Sequence, residues 1–172
     1  MKIIEALKNL KTIEKRIAKN AESITEYSAY VSTETPHFET LDRQAEEVER
    51  LLQANIDLET EYLRLKTAIE TTNLAVTVEF GDRRHTISEL IGIRRKTAGF
   101  RRQTLGALNP QKAMARMKEN YNKGIDTTNP PRIVLAFKEQ KKIREFTDWD
   151  NFVSSIDGRL EVVNAETELQ GY

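Results

Sequence analysis

Lys2 to Tyr30 read KIIEALKNLKTIEKRIAKNAESITEYSAY, and the spacing of apolar residues in this stretch decides the fold. Ile3, Leu10, Ile17 and Ile24 recur every seven residues, and Ala6, Ile13, Asn20 and Tyr27 stand three further on. That is the a/d seam of a coiled coil, a stripe that a single helix cannot hide from water and a second helix must cover. Ser32-Thr33-Glu34-Thr35-Pro36 ends the run, because proline disfavours helix at the residue before it. A second helix from near Glu39 to about Thr71 supplies the cover. It carries an early stripe of Leu41, Ala45, Val48 and Leu52, and a later one of Leu51, Leu58 and Leu65 with Tyr62 and Ile69. The expected result is a long antiparallel hairpin over residues 1–72. At 1.5 Å per residue its second helix is about 50 Å long. A compact chain of this length is only about 40 Å across, so the helix is expected to protrude or to lie within a larger assembly.

Asn20 is the polar residue on the seam. Either it costs stability and fixes the register of the two helices, or the seam turns outward there, since Ala21 and Ser23 follow.

Residues 73–172 read as small strands with further helices in the same single domain. Thr77-Val78-Glu79-Phe80 alternates and Gly81-Asp82 turns the chain, which predicts a short strand. Thr86-Ile87-Ser88-Glu89 is a capping box opening a third helix, which runs to about Leu108 before Asn109-Pro110. Gln111 to Tyr121 reads as a shorter helix with Met114 and Met117 inward. Asn129-Pro130-Pro131 marks a loop, Ile133 to Phe137 a second strand, and Lys142 to Phe146 a candidate third. The last helix is expected to be capped by Thr147 or Asp148 and to bury Trp149, Phe152, Val153, Ile156, Leu160 and Val163. The fold class is therefore mainly α, a helix-dominated α+β chain with a small β element.

Composition excludes several kinds of chemistry. The chain has 172 residues and no cysteine, which removes disulfides, thiolate catalysis and Cys-ligated zinc. Lys plus Arg and Asp plus Glu both total 27, so net charge gives no reason to expect a nucleic-acid or membrane partner. Charge turns up too early after Met1 for a signal-peptide apolar core, and no apolar run approaches a membrane span. A cytoplasmic protein, of a cell or of an infected host, is expected. His37 and His85 lie in different loops, and neither has a partner at i+3 or i+4 suited to coordination where three or four ligands are needed, so neither a metal nor any other cofactor is expected. Gly92 and Gly99 sit singly inside a helix, where close packing is the ordinary reason for glycine. No phosphate loop or nucleophile elbow is present, and no catalytic residue is assigned.

One surface stands out. Arg83 to Arg102 holds seven bases against one acid, whereas Phe38 to Thr71 holds nine acids against four bases and Thr147 to Tyr172 six against one. On an uninterrupted third helix, Arg94 and Arg101 form one stripe and Arg95 and Arg102 the next. With Lys96, Arg83 and Arg84 they make a ridge able to contact phosphates. The same arginines can instead pair with the acidic second and last helices, within the chain or between subunits. The acidic surplus favours pairing. Asn73 and Asn164 read as C-cap residues near two helix ends.

In order along the chain, these segments resemble a small family of bacterial and phage helical proteins, some labelled septicolysin-like. The resemblance is carried by Glu5-Ala6-Leu7 with the later loop Glu34-Thr35-Pro36, and by Ile69-Glu70-Thr71-Thr72-Asn73. It continues in Gly81 with Thr86, Ile87, Glu89 and Arg94, and in a tail of Asp157, Arg159, Leu160, Asn164, Thr167 and Leu169. Each motif is short, and their order over most of the chain carries the likeness. The chain departs from the family's pattern at Ala165, where Trp is usual, and at Arg95, where Asp is usual. The resemblance implies a mainly helical fold and self-association, and no catalytic residues. The pore-forming activity that the label suggests is not carried over, since the chain has no long amphipathic apolar hairpin.

The expectation is a non-enzymatic structural or scaffolding protein that assembles with itself, or with other subunits, through the seam. One form of it is a component of a phage or phage-like assembly. The alternative is a nucleic-acid-binding module on the basic helix.

Overall fold

The computed structural model of the chain describes residues 1–121 and 130–172. Two long helices come first, α1 over Ile3–Tyr27 and α2 over Leu41–Ala75. A hairpin follows of β1, Thr77–Phe80, and β2, Arg83–Thr86. Then come α3, Ile87–Gly92, a π-helical turn at Ile93–Thr97, and α4, Ala98–Gly106. The shorter α5, Gln111–Tyr121, and the long α6, Glu139–Glu166, complete the set.

α1 and α2 pack against each other as an antiparallel helical hairpin. α1 stops at Tyr27, three residues before the expected Tyr30, because side chains take over its last carbonyls. Ser28 Oγ donates to Thr25 O at 3.1 Å, and Gln44 Nε2 donates to Tyr27 O at 2.7 Å. The buried Gln44 also accepts the His37 N–H at 2.9 Å, so one side chain ties both ends of the connection. α2 begins where Thr40 Oγ1 accepts the Arg43 N–H, one residue after Glu39 turns the chain with a left-handed φ of 69°. It is 35 residues long, about 52 Å.

The expected early stripe on α2 is not buried. Leu41, Ala45 and Leu52 are exposed and Val48 is half-buried. The inner face is set by Gln44, Leu51, Leu65, Ala68, Ile69 and Thr72, roughly a third of a turn away.

β1 is the expected strand, but its partner is not Ile133 to Phe137. It pairs antiparallel with the next segment, Thr77 against Thr86 and Phe80 against Arg83. A two-residue turn makes that pairing local, and positive φ at Gly81 but not at Asp82 is the type II′ arrangement. Ile133 to Phe137 forms no strand; Val134 is 86% exposed. Lys142 to Phe146 belongs to α6, which starts eight residues before Thr147 and is not capped by Thr147 or Asp148. Met114 of α5 is exposed and Met117 half-buried, so that helix does not turn its methionines fully inward. The Asn129 end of the expected loop lies outside the described residues.

Two apolar clusters hold these elements together. One joins Ile3 to Ile87, Leu90, Ile156, Leu160 and Val163, with Val76, Val78, Phe80 and Phe152 against it. The other runs along the hairpin through Ala6, Leu10, Ile13, Leu65 and Ile69. Leu169, in the tail after α6, touches both. Trp149 Nε1 donates to Ala98 O at 3.3 Å and its ring stacks on Phe152, docking α4 on α6.

Candidate functional site

The seam lies between α1 and α2 of one chain. Ile3, Leu10 and Ile13 of α1 and Leu51 and Leu65 of α2 are buried, and Ile17 and Leu58 pack at the edge of the hairpin cluster. Ile24 is half-buried near the hairpin's far end. Asn20 stays on the seam, where it meets a second asparagine. Asn20 Nδ2 donates to Asn55 Oδ1 at 2.9 Å, and Asn55 Nδ2 reaches Ile17 O at 3.5 Å. An amide placed opposite an amide is satisfied in one axial alignment, which suits it to setting register.

With the inner face of α2 filled by α1, the apolar residues left on α2 point elsewhere. Leu41, Leu52, Ile56, Leu63 and Leu74 are all exposed. An open apolar groove of about 510 Å³ lies beside Leu63, between the two helices, lined also by Ile17, Ala18 and Tyr62 with Glu14 and Glu59. Elsewhere on α2, Arg50 grips Glu47 with two hydrogen bonds, Nε to Oε2 at 2.7 Å and an NH2 contact of 2.6 Å. These bonds hold the Glu47 carboxyl below the usual glutamate range and raise Arg50.

The four arginines of the basic helix do not form two parallel stripes. The Ala98 N–H bonds to Ile93 O, five residues back, so the π turn inserts one extra residue into the helix. Two turns then take eight residues, and Arg94 and Arg102 come to face the same neighbour. Arg94 pairs with Asp157 at 2.7 Å and Arg102 with Asp150 at 2.8 Å, both on α6. Arg101 lies over the Trp149 ring, 4.7 Å from its centroid. Arg95 makes no ion pair among the described residues and faces a different groove, of about 470 Å³.

That groove also takes in Lys66, Glu70, Asn73, Ser88 and Asn164. Neither asparagine is a C-cap, since α2 runs on to Ala75 and α6 to Glu166. Among the described residues nothing outside their own helix lies within 4 Å of a methyl group added at Gly92 or Gly99, so no close packing there requires them.

The tail after α6 clasps the start of α1. The Ile3 N–H donates to Thr167 O at 3.0 Å and the Leu169 N–H to Met1 O at 2.9 Å. The Gln170 N–H donates to Oγ1 of the buried Thr72, which in turn donates to Ala68 O. The Met1 amino group lies 2.9 Å from Glu168, whose carboxyl it holds below the usual range.

No family model matches the chain, and no curated protein or solved structure matches it. No helix among the described residues is long and apolar enough to cross a membrane.

Proposed function

We propose that the protein is a non-enzymatic structural or scaffolding component that associates with copies of itself. The observation behind this reading is the two-sided apolar character of α2. Its inner face is already covered by α1, yet five large apolar residues remain exposed along its length. Burying each such side chain contributes about 1.5–3 kcal/mol, so a row of them favours association. The sequence-level resemblance to phage and bacterial helical proteins suggests an assembly component working in the cytoplasm. The test is the solution mass by size-exclusion chromatography with light scattering. A discrete multiple of 19.8 kDa supports the reading, and a monomer at every concentration removes it.

A nucleic-acid-binding role for the basic helix is the second reading, and the exposed Arg95 and Lys96 favour it. Pairing of Arg94 and Arg102 with α6 weighs against it, since those charges are already engaged. It predicts binding that falls steeply with salt and is lost when Arg95 and Lys96 become glutamine.

A further inference from the structure

Segments far apart in sequence meet at the groove that holds Arg95. Ile3 and Leu7 of α1 are four residues apart, as are Lys66 and Glu70 of α2 and Leu160 and Asn164 of α6. Residues so spaced share one side of a helix, so each of the three helices turns a face to the groove. Ser88 of α3 and Arg95 of the π turn complete the wall. The volume, about 470 Å³, is that of a small-molecule site.

The fold leaves the polar groups of this groove unused. Asn73 Oδ1 is buried with no hydrogen-bond partner among the described residues. The side chains of Ser88 and Asn164 make no hydrogen bond among the described residues either. Polar atoms shut away from water are nearly always paired, so an unpaired one in the wall of a groove marks a place for a partner from outside. The charges leave one cation over. Lys66 stands 3.5 Å from Glu70 and Arg94 2.7 Å from Asp157, and Arg95 remains. The rest of the lining is apolar, with Ile3, Ile69 and Leu160 buried and Leu7 and Leu74 open to solvent.

We infer that this groove binds the carboxylate end of an N-acylated amino acid with an apolar side chain, free or as the last residue of a peptide. Each part of that ligand corresponds to one observation. Its single negative charge matches the one cation left over, and a planar carboxylate accepts two parallel N–H bonds from a guanidinium such as that of Arg95. A phosphate dianion would bring a second charge beside Glu70 with no free cation to meet it. The amide N–H next to the carboxylate is a donor for Asn73 Oδ1, and the acyl carbonyl is an acceptor for the Asn164 amide or the Ser88 hydroxyl. The last torsion of an asparagine is soft, so a turn about it brings the Asn73 oxygen to a donor in the groove. The apolar side chain of the ligand covers Leu7 and Leu74, which water otherwise touches. One chain supplies every group, so the site stands apart from the self-association proposed above.

Heteronuclear NMR of the full chain tests the site with N-acetyl-leucine as the probe, read at the side-chain amides of Asn73 and Asn164 and at the Arg95 Nε–H. The expected result is saturable shifts at these groups with a dissociation constant of about 1 mM, as befits so small a ligand. Arg95→Gln is expected to weaken binding at least about tenfold, since it removes a charge-assisted pair. Arg95 is exposed, so the variant should fold; if it does not, N-acetyl-leucinamide, which lacks the charge, makes the same test on the wild-type chain. Isocaproate lacks the N–H and N-acetylglycine the apolar side chain, and each is expected to bind at least about fivefold more weakly. Absence of shifts at about tenfold the expected constant overturns the site. Isocaproate or N-acetyl-leucinamide binding as tightly as N-acetyl-leucine overturns the amino-acid assignment. Tighter binding of inorganic phosphate at the same groups overturns the carboxylate. With the site upheld, N-acetyl-alanyl-alanyl-leucine binding more tightly than N-acetyl-leucine identifies a peptide terminus as the source, and equal or weaker binding identifies the free acid.

Discussion

Asn20 and Asn55 meet across the hairpin through one amide hydrogen bond of 2.9 Å, at a level where every neighbouring seam position is apolar or half-buried. Replacing Asn55 alone with leucine strands the Asn20 amide and is expected to cost about 1–3 kcal/mol by urea unfolding. The Asn20→Leu/Asn55→Leu pair removes both polar groups and is expected to recover most or all of that loss. If the single and double variants are equally unstable, the bond does not set the cost.

Gln44 makes a sharper prediction. It is buried, and its amide is divided between the carbonyl ending α1 and the N–H of His37. Gln44→Leu leaves both backbone groups without that partner, with an expected loss of about 1–3 kcal/mol. Hydrogen exchange reads it locally: the His37 amide should lose protection far more than amides in α6.

At Gly81, φ is +63° and an added Cβ would sit 3.3 Å from the Phe152 ring. Gly81→Ala is expected to destabilise by about 1–2 kcal/mol and to change the fluorescence of Trp149, which stacks on Phe152. Gly92→Ala, in open space on a helix, is expected to be neutral or stabilising by up to about 1 kcal/mol.

The Glu47–Arg50 pair has a definite pH signature. Because the folded protein holds Glu47 below its ordinary value, the pair's contribution is present at neutral pH and is lost as pH falls through that lowered value. NMR titration should find Glu47 below the ordinary glutamate value, and Arg50→Gln should return it toward that value. An unchanged titration in the variant would mean Arg50 is not the cause.

The hairpin was legible because a seven-residue repeat in α1 admits few alternatives, and the Thr86 box because its two hydrogen bonds, at 3.0 and 2.8 Å, depend only on local chain. Other features were hidden for physical reasons. β2 is Arg-Arg-His-Thr, whose pairing comes from backbone groups and a two-residue turn rather than from apolar alternation. Ile133 to Phe137 is apolar enough for a strand but pairs with none among the described residues. Ile143 and Phe146 are three apart and continue into Trp149 and Val153, which is helical spacing that reaches back through Thr147. The π turn cannot be read from side-chain periodicity, and it moves the shared face from Arg94 and Arg101 to Arg94 and Arg102. The first stripe on α2 was a true apolar repeat assigned to the wrong side of the helix, since α1 covers only one.

The clasp between residues 167–169 and the start of α1 separates the order of synthesis from the order of folding. A hairpin of adjacent helices can close as soon as both have been made, because its loop is short. Ile3 cannot join its cluster until Leu160, Val163 and Leu169 exist, nearly the whole chain later. The start of α1 is therefore made long before it is secured, and until then it is a place where a nascent chain is open to a chaperone or a protease.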